Sequence, residues 1–139
     1  MKAIYTVLIL ISNLIVFAQS ENVVGNYAVK IGKTDYFDYK LTLNQDGSFV
    51  FHYYSNIKQG IPPEVNKYGK GKWTVENNVI SFFADKQDID DKHILNFNNS
   101  KARFLFKSPR DKSDRLIQTR LKFLESELSW MYKIEMLKI

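Results

Sequence analysis

A period of two runs through most of this chain and limits what it can fold into. Tyr27, Val29 and Ile31 fall on one side of an extended segment, with Asn26, Ala28 and Lys30 on the other. Phe37, Tyr39, Leu41 and Leu43 alternate with Asp38, Lys40 and Thr42, and Phe49, Phe51 and Tyr53 alternate with Val50, His52 and Tyr54. Successive side chains of a strand point to opposite faces, so each segment can bury one face and leave the other in water. Between the second and third segments, Asn44-Gln45-Asp46-Gly47 supplies a turn, because Gly47 can take the positive φ that a tight hairpin needs.

The same rhythm continues. Trp73 and Val75 are in phase within Tyr68–Val75, and Asn77-Asn78 turns the chain back into Ile80 and Phe82. His93, Leu95 and Phe97 alternate next, Asn98-Asn99-Ser100 turns, and Ala102, Phe104 and Phe106 follow. Short strands joined by hairpins, with no helix between them, predict an all-β, up-and-down antiparallel meander. About eight strands would close into a single barrel and so remove their edges.

The C-terminal stretch carries two patterns. Leu128, Trp130, Tyr132, Ile134 and Met136 alternate as a strand would, whereas Ile117, Leu121, Leu124, Leu128 and Met131 fall at helical spacing behind a capping Ser113-Asp114. The longer alternation favours a strand, with one short helix over Leu116 to Glu125 as the alternative.

Residues 1–18 read as a signal peptide. Lys2 forms a basic start, thirteen of the sixteen residues from Ala3 to Ala18 are apolar, and polarity rises at Gln19-Ser20-Glu21-Asn22. Val16 and Ala18 are small enough for the two specificity positions of a signal-peptidase cut. The apolar run is short for a membrane span and has no basic stop-transfer flank, so no transmembrane span is expected after processing. Cleavage after Ala18 leaves residues 19–139 as one exported domain, periplasmic or secreted, with a net charge of +4.

Composition removes several chemistries. The 139 residues include no cysteine, which excludes disulfide scaffolds, thiolate metal sites, Cys nucleophiles and acylation on cysteine. No Gly-x-Ser-x-Gly elbow or phosphate-cradling glycine loop occurs, and the two histidines lack a nucleophile nearby in sequence. Enzymatic function, a catalytic residue and a cofactor are therefore not expected. Asp85, Asp88, Asp90, Asp91 and His93 gather four carboxylates that could draw calcium, but their spacing fits no EF-hand and no glycine tightens the loop. They read as a solvated loop rather than a metal site.

Gly25-Asn26-Tyr27, Leu41-Thr42-Leu43-Asn44-Gln45-Asp46-Gly47-Ser48-Phe49, Gly71-Lys72-Trp73-Thr74-Val75 and Asn78-Val79-Ile80-Ser81-Phe82 together resemble the small secreted lipocalin-like, calycin-type barrels of bacteria. The resemblance covers Gly25 to Phe83, about half of the mature chain, and departs from the pattern at Tyr27, where a tryptophan is usual. It implies a cupped barrel that holds a small hydrophobic or amphipathic ligand or docks a partner.

On that reading the ligand-binding residues are Phe37, Tyr39, Phe51, Tyr53, Trp73, Phe82, Phe97 and Phe104, which are also the residues a filled core would use. The segment Ser55 to Lys67 holds Pro62-Pro63 and is expected outside the sheet, as a lid that turns Ile57, Ile61 and Val65 onto the barrel mouth. From Lys101 to Lys122 eight basic residues face only Asp111 and Asp114, a patch suited to an anionic envelope surface or an acidic protein partner. No aromatic stacking motif interleaves these cations, and no nucleic acid is expected.

Overall fold

In the computed structural model the described residues are 22–139. The expected signal peptide lies outside them. Eight strands follow in chain order: β1 (Gly25–Gly32), β2 (Tyr36–Leu43), β3 (Ser48–Asn56), β4 (Glu64–Glu76), β5 (Val79–Phe83), β6 (Lys101–Leu105), β7 (Arg120–Glu125) and β8 (Glu135–Lys138). Each pairs antiparallel with the next, and β8 returns to β1 through Tyr27 opposite Lys138 and Ala28 opposite Leu137, closing the barrel. This is the expected architecture, the up-and-down meander of a lipocalin-like barrel, with every strand paired on both sides along part of its length.

The β2–β3 hairpin forms where the alternation put it, with Leu41 opposite Phe51 and Leu43 opposite Phe49. Gly47 sits at φ +87°, and its carbonyl accepts the Trp73 N–H at 2.8 Å, which fastens the turn to β4. Asp46 Oδ1 accepts from the Ser48 hydroxyl at 2.6 Å and the Ser48 N–H at 2.8 Å, and these bonds hold its carboxyl below the usual range.

Two ends can be told apart. The upper end carries the β1–β2, β3–β4, β5–β6 and β7–β8 connections; the lower end carries the other three and the entry of the chain at Asn22. The interior is packed by rings. Phe97 lies 4.7 Å from Phe51, 5.6 Å from Phe49 and 6.1 Å from Phe82 between centroids, and Phe82 stacks on Phe123 at 5.5 Å. Near the lower end Tyr27 is fully buried and donates its hydroxyl to the Val23 carbonyl; burial alone raises its pKa far above the usual tyrosine value.

Three local expectations are corrected. His93–Phe97 is not a strand: it is an irregular part of the long β5–β6 connection. Because β5 reaches only Lys72–Glu76 of β4, this segment runs beside the rest of β4, with the Leu95 N–H on the Tyr68 carbonyl at 3.0 Å. Gly69 and Gly71 make room for it and for its neighbours; a Cβ on Gly69 would fall 2.9 Å from the Phe97 ring.

Nor is 128–136 one strand, and no helix covers Leu116 to Glu125. Strand β7 takes Arg120–Glu125 with Leu121 and Phe123 buried, then a 3-10 turn (Ser129–Met131) interrupts the chain before β8. Lys133 at φ +65° breaks any extended run across the interruption.

The loop between β3 and β4 is shorter than expected, because Glu64–Lys67 belong to β4. It closes on itself through the Ile57 N–H to the Pro63 carbonyl at 2.8 Å, and the Lys58 N–H reaches Asp35 Oδ1 at 2.9 Å. Ile61 is 100% exposed and Ile57 is 36% exposed, so the loop stands off the barrel rather than lying across its mouth.

Candidate functional site

Most of the residues expected to line a ligand chamber meet one another instead. Tyr39, Phe51, Trp73, Phe82, Phe97 and Phe104 are buried core, Phe37 and Tyr53 are half-buried near the upper rim, and Ile61 touches none of these rings. Trp73 donates its indole N–H to the Asn44 carbonyl at 3.1 Å, a structural bond that ties β4 to the β2–β3 turn. The place expected for the lid is taken by Trp130, from the turn before β8, whose ring lies 5.1 Å from Tyr39 and 5.2 Å from Tyr53. Burial, and the charge of Tyr53 beside it, push Tyr39 up to about 12.

A cavity of about 440 Å³ opens at the opposite, lower end. Phe104 on β6 forms its deep wall. Phe106, Lys107, Pro109, Ile117 and Thr119 come from the β6–β7 connection, with Asn78, Asn22 and Lys138 completing it from the β4–β5 turn, the chain entry and β8. That volume lies within the range of small-molecule pockets. Of the sequence-predicted residues, only Phe104 lines it.

Local structure explains the wall. The Phe104 N–H bonds the Asn78 carbonyl at 2.7 Å, and the Lys138 N–H bonds the Thr119 carbonyl at 2.9 Å, fixing two rims. Phe104 and Phe106 pack with centroids 5.2 Å apart. Lys138 lies across Gly25, where a Cβ would come within 2.8 Å of its Cε, and its Nζ donates to the Asn22 carbonyl at 3.0 Å. Lys107 Nζ donates to the Ser113 carbonyl at 2.6 Å.

An ammonium has three donors, so Lys107 and Lys138 each keep capacity for an anion after these backbone bonds. Among the described residues no carboxylate lines the cavity. The lining combines apolar side chains with two cations, which suits a molecule having an apolar body and an anionic head.

The acidic cluster does something else. Asp85 and Asp88 cap a 3-10 turn (Lys86–Asp88) reciprocally, and Asp90 accepts from the His93 N–H at 2.7 Å and the Lys92 N–H at 2.9 Å. Among the described residues no group of three metal-ligating side chains comes together. His52 faces outward, as its strand phase required, with its ring stacked on Tyr68 at 4.7 Å and its Nε2 2.8 Å from Asn66 Oδ1. Among the described residues, no helix is long and apolar enough to cross a membrane.

The lower cavity escaped the sequence reading because its lining comes from five separate stretches between Asn22 and Lys138, and no spacing within any of them signals that they meet. Comparison of the chain with protein-family models, with curated proteins and with solved structures finds no match.

Proposed function

We propose that the protein is an exported, non-enzymatic binding protein that holds a small amphipathic ligand in the lower cavity. The apolar body would rest on Phe104, Phe106, Pro109 and Ile117, and an anionic head would meet Lys107 and Lys138. The observation that carries this reading is the pairing of about 440 Å³ of space with two lysines and, among the described residues, no carboxylate in its wall. A signal-like N-terminus supports export.

The other reading, an envelope interaction module acting through its loops and basic face, gains support from the ring-filled interior.

Uptake of the anionic apolar dye anilinonaphthalene sulfonate by the folded mature chain separates the two. The cavity reading expects saturable binding, displaced by a long-chain alkyl carboxylate. Ile117→Asp and Phe106→Asp should each weaken it by roughly tenfold, since each replaces apolar contact with a charge. Ile61→Asp should leave it unchanged, because Ile61 stands at the other end, wholly in water. Absence of dye uptake, or uptake indifferent to both cavity substitutions, favours the interaction module.

A further inference from the structure

We propose that the β6–β7 connection, residues 106–119, docks the protein onto an anionic lipid bilayer, with Leu116 entering the interface and Arg110, Lys112 and Arg115 meeting the headgroups. The proposal uses the outer side of this connection and does not depend on what the cavity holds.

The first observation is that the connection is built to keep a shape. Asp111 accepts from the Ser113 N–H at 2.9 Å, from the Ser113 hydroxyl, and from Arg115 Nη2 at 3.1 Å. The Asp111 N–H bonds the Ser108 carbonyl at 2.9 Å, and Lys107 Nζ bonds the Ser113 carbonyl. The bonds from Ser113, and after them the one from Arg115, hold the Asp111 carboxyl below its usual range. A loop of this length is uncommon without a function when it is ordered.

The second observation is what that shape presents. Leu116 is fully exposed, at 101% of its reference area, while the next residue, Ile117, turns into the cavity wall. In the same connection Arg110, Lys112 and Arg115 are all exposed, with Asp114 the one exposed carboxylate among them. Among the described residues neither Arg110 nor Lys112 makes an ion pair, and Asp111 is taken up by Arg115. On the adjoining sheet, Arg103 of β6 stands directly opposite Lys122 of β7, a like-charge pair that adds to the local positive potential.

Charge complementarity alone would suit any polyanion. A polyanionic sugar satisfies the cations and leaves Leu116 in water, and an acidic protein would need an apolar pocket shaped for Leu116 among its carboxylates, whereas a bilayer interface takes an apolar side chain and the cations beside it without one. Asn22, where the described chain enters the barrel, lines the same lower end.

The test is flotation of the mature protein with vesicles of phosphatidylglycerol and phosphatidylcholine, compared with phosphatidylcholine alone. Binding is expected on the anionic vesicles only, weakening as salt is raised. Arg110→Ala with Lys112→Ala should reduce vesicle affinity by at least tenfold, given how strongly each cation near an anionic surface contributes. Leu116→Asp should reduce it several-fold while the melting temperature stays put, and Leu116→Trp should show a blue-shifted emission on anionic vesicles. No flotation of the wild type, or flotation untouched by both the double and the Leu116→Asp substitutions, overturns the proposal. Vesicles are scored without dye and dye binding without vesicles, so the docking loop and the cavity stand or fall separately.

Discussion

Trp130 lies with its ring centroid 5.1 Å from that of Tyr39, the planes inclined at 47°, although the two residues come from opposite ends of the chain. The contact sets the 3-10 turn before β8 into the upper mouth of the barrel, where Tyr53 and Phe51 meet the same indole at 5.2 and 6.0 Å. The upper end is thereby stoppered from within. Trp130→Ala should cost about 2–3 kcal/mol, somewhat below the ~3–5 kcal/mol typical of a wholly buried aromatic, since Trp130 is only half-buried. Urea unfolding measures this; a midpoint equal to wild type would mean the indole does not pack as described.

Gly71 is a second point of close approach. A Cβ there would fall 2.1 Å from the Phe83 carbonyl oxygen and 2.9 Å from the Phe49 ring, so β4 cannot carry a side chain at this position without separating from β5. Gly71→Ala is expected to destabilise by about 3 kcal/mol or more, at the upper end of overpacking costs. Thermal melts of the substituted chain decide it, and an unshifted melting temperature would contradict the close packing of β4 on β5.

Asp90 is held down to about 2 from 3.8, first by the His93 N–H, then by the His93 ring and the Lys92 N–H. A carboxylate whose pKa is lower in the folded chain stabilises the fold above its unfolded value and loses that effect as pH falls through its folded value. Asp90→Asn should therefore destabilise relative to wild type at neutral pH. The difference should shrink as pH is lowered from about 4 to about 2. Unfolding of both proteins across that range is the measurement, and a constant gap would assign the effect to something other than this ionisation.

How the sequence led to the barrel is instructive at two places. The alternation of His93, Leu95 and Phe97 is real, since Leu95 and Phe97 are buried and Ile94 is exposed, but it arises from an extended segment lying along β4 without a ladder. Conversely, the run from Leu128 to Met136 joined a 3-10 turn to β8, while β7 lay hidden under a helical spacing that omitted Phe123, its second buried residue. One strand too many and one too few cancel, which is why about eight was the right number. Strand faces are set by neighbours two residues apart and can be read locally. The lower cavity depends on distant stretches coming together, and Lys107 and Lys138 carry no local mark of meeting there.

Lys138 belongs to two things at once: it pairs with Tyr27 at the junction of β1 and β8, and its side chain walls the cavity. That junction has two registered pairs, the fewest in the barrel, and joins residues more than a hundred positions apart, so its loop-closure entropy is the largest in the fold. It should be the last hydrogen-bonded seam to form and the first to breathe in native-state amide exchange. Because Lys138 also walls the cavity, breathing of this seam would shift one of the cavity's two cations and loosen that side of its wall.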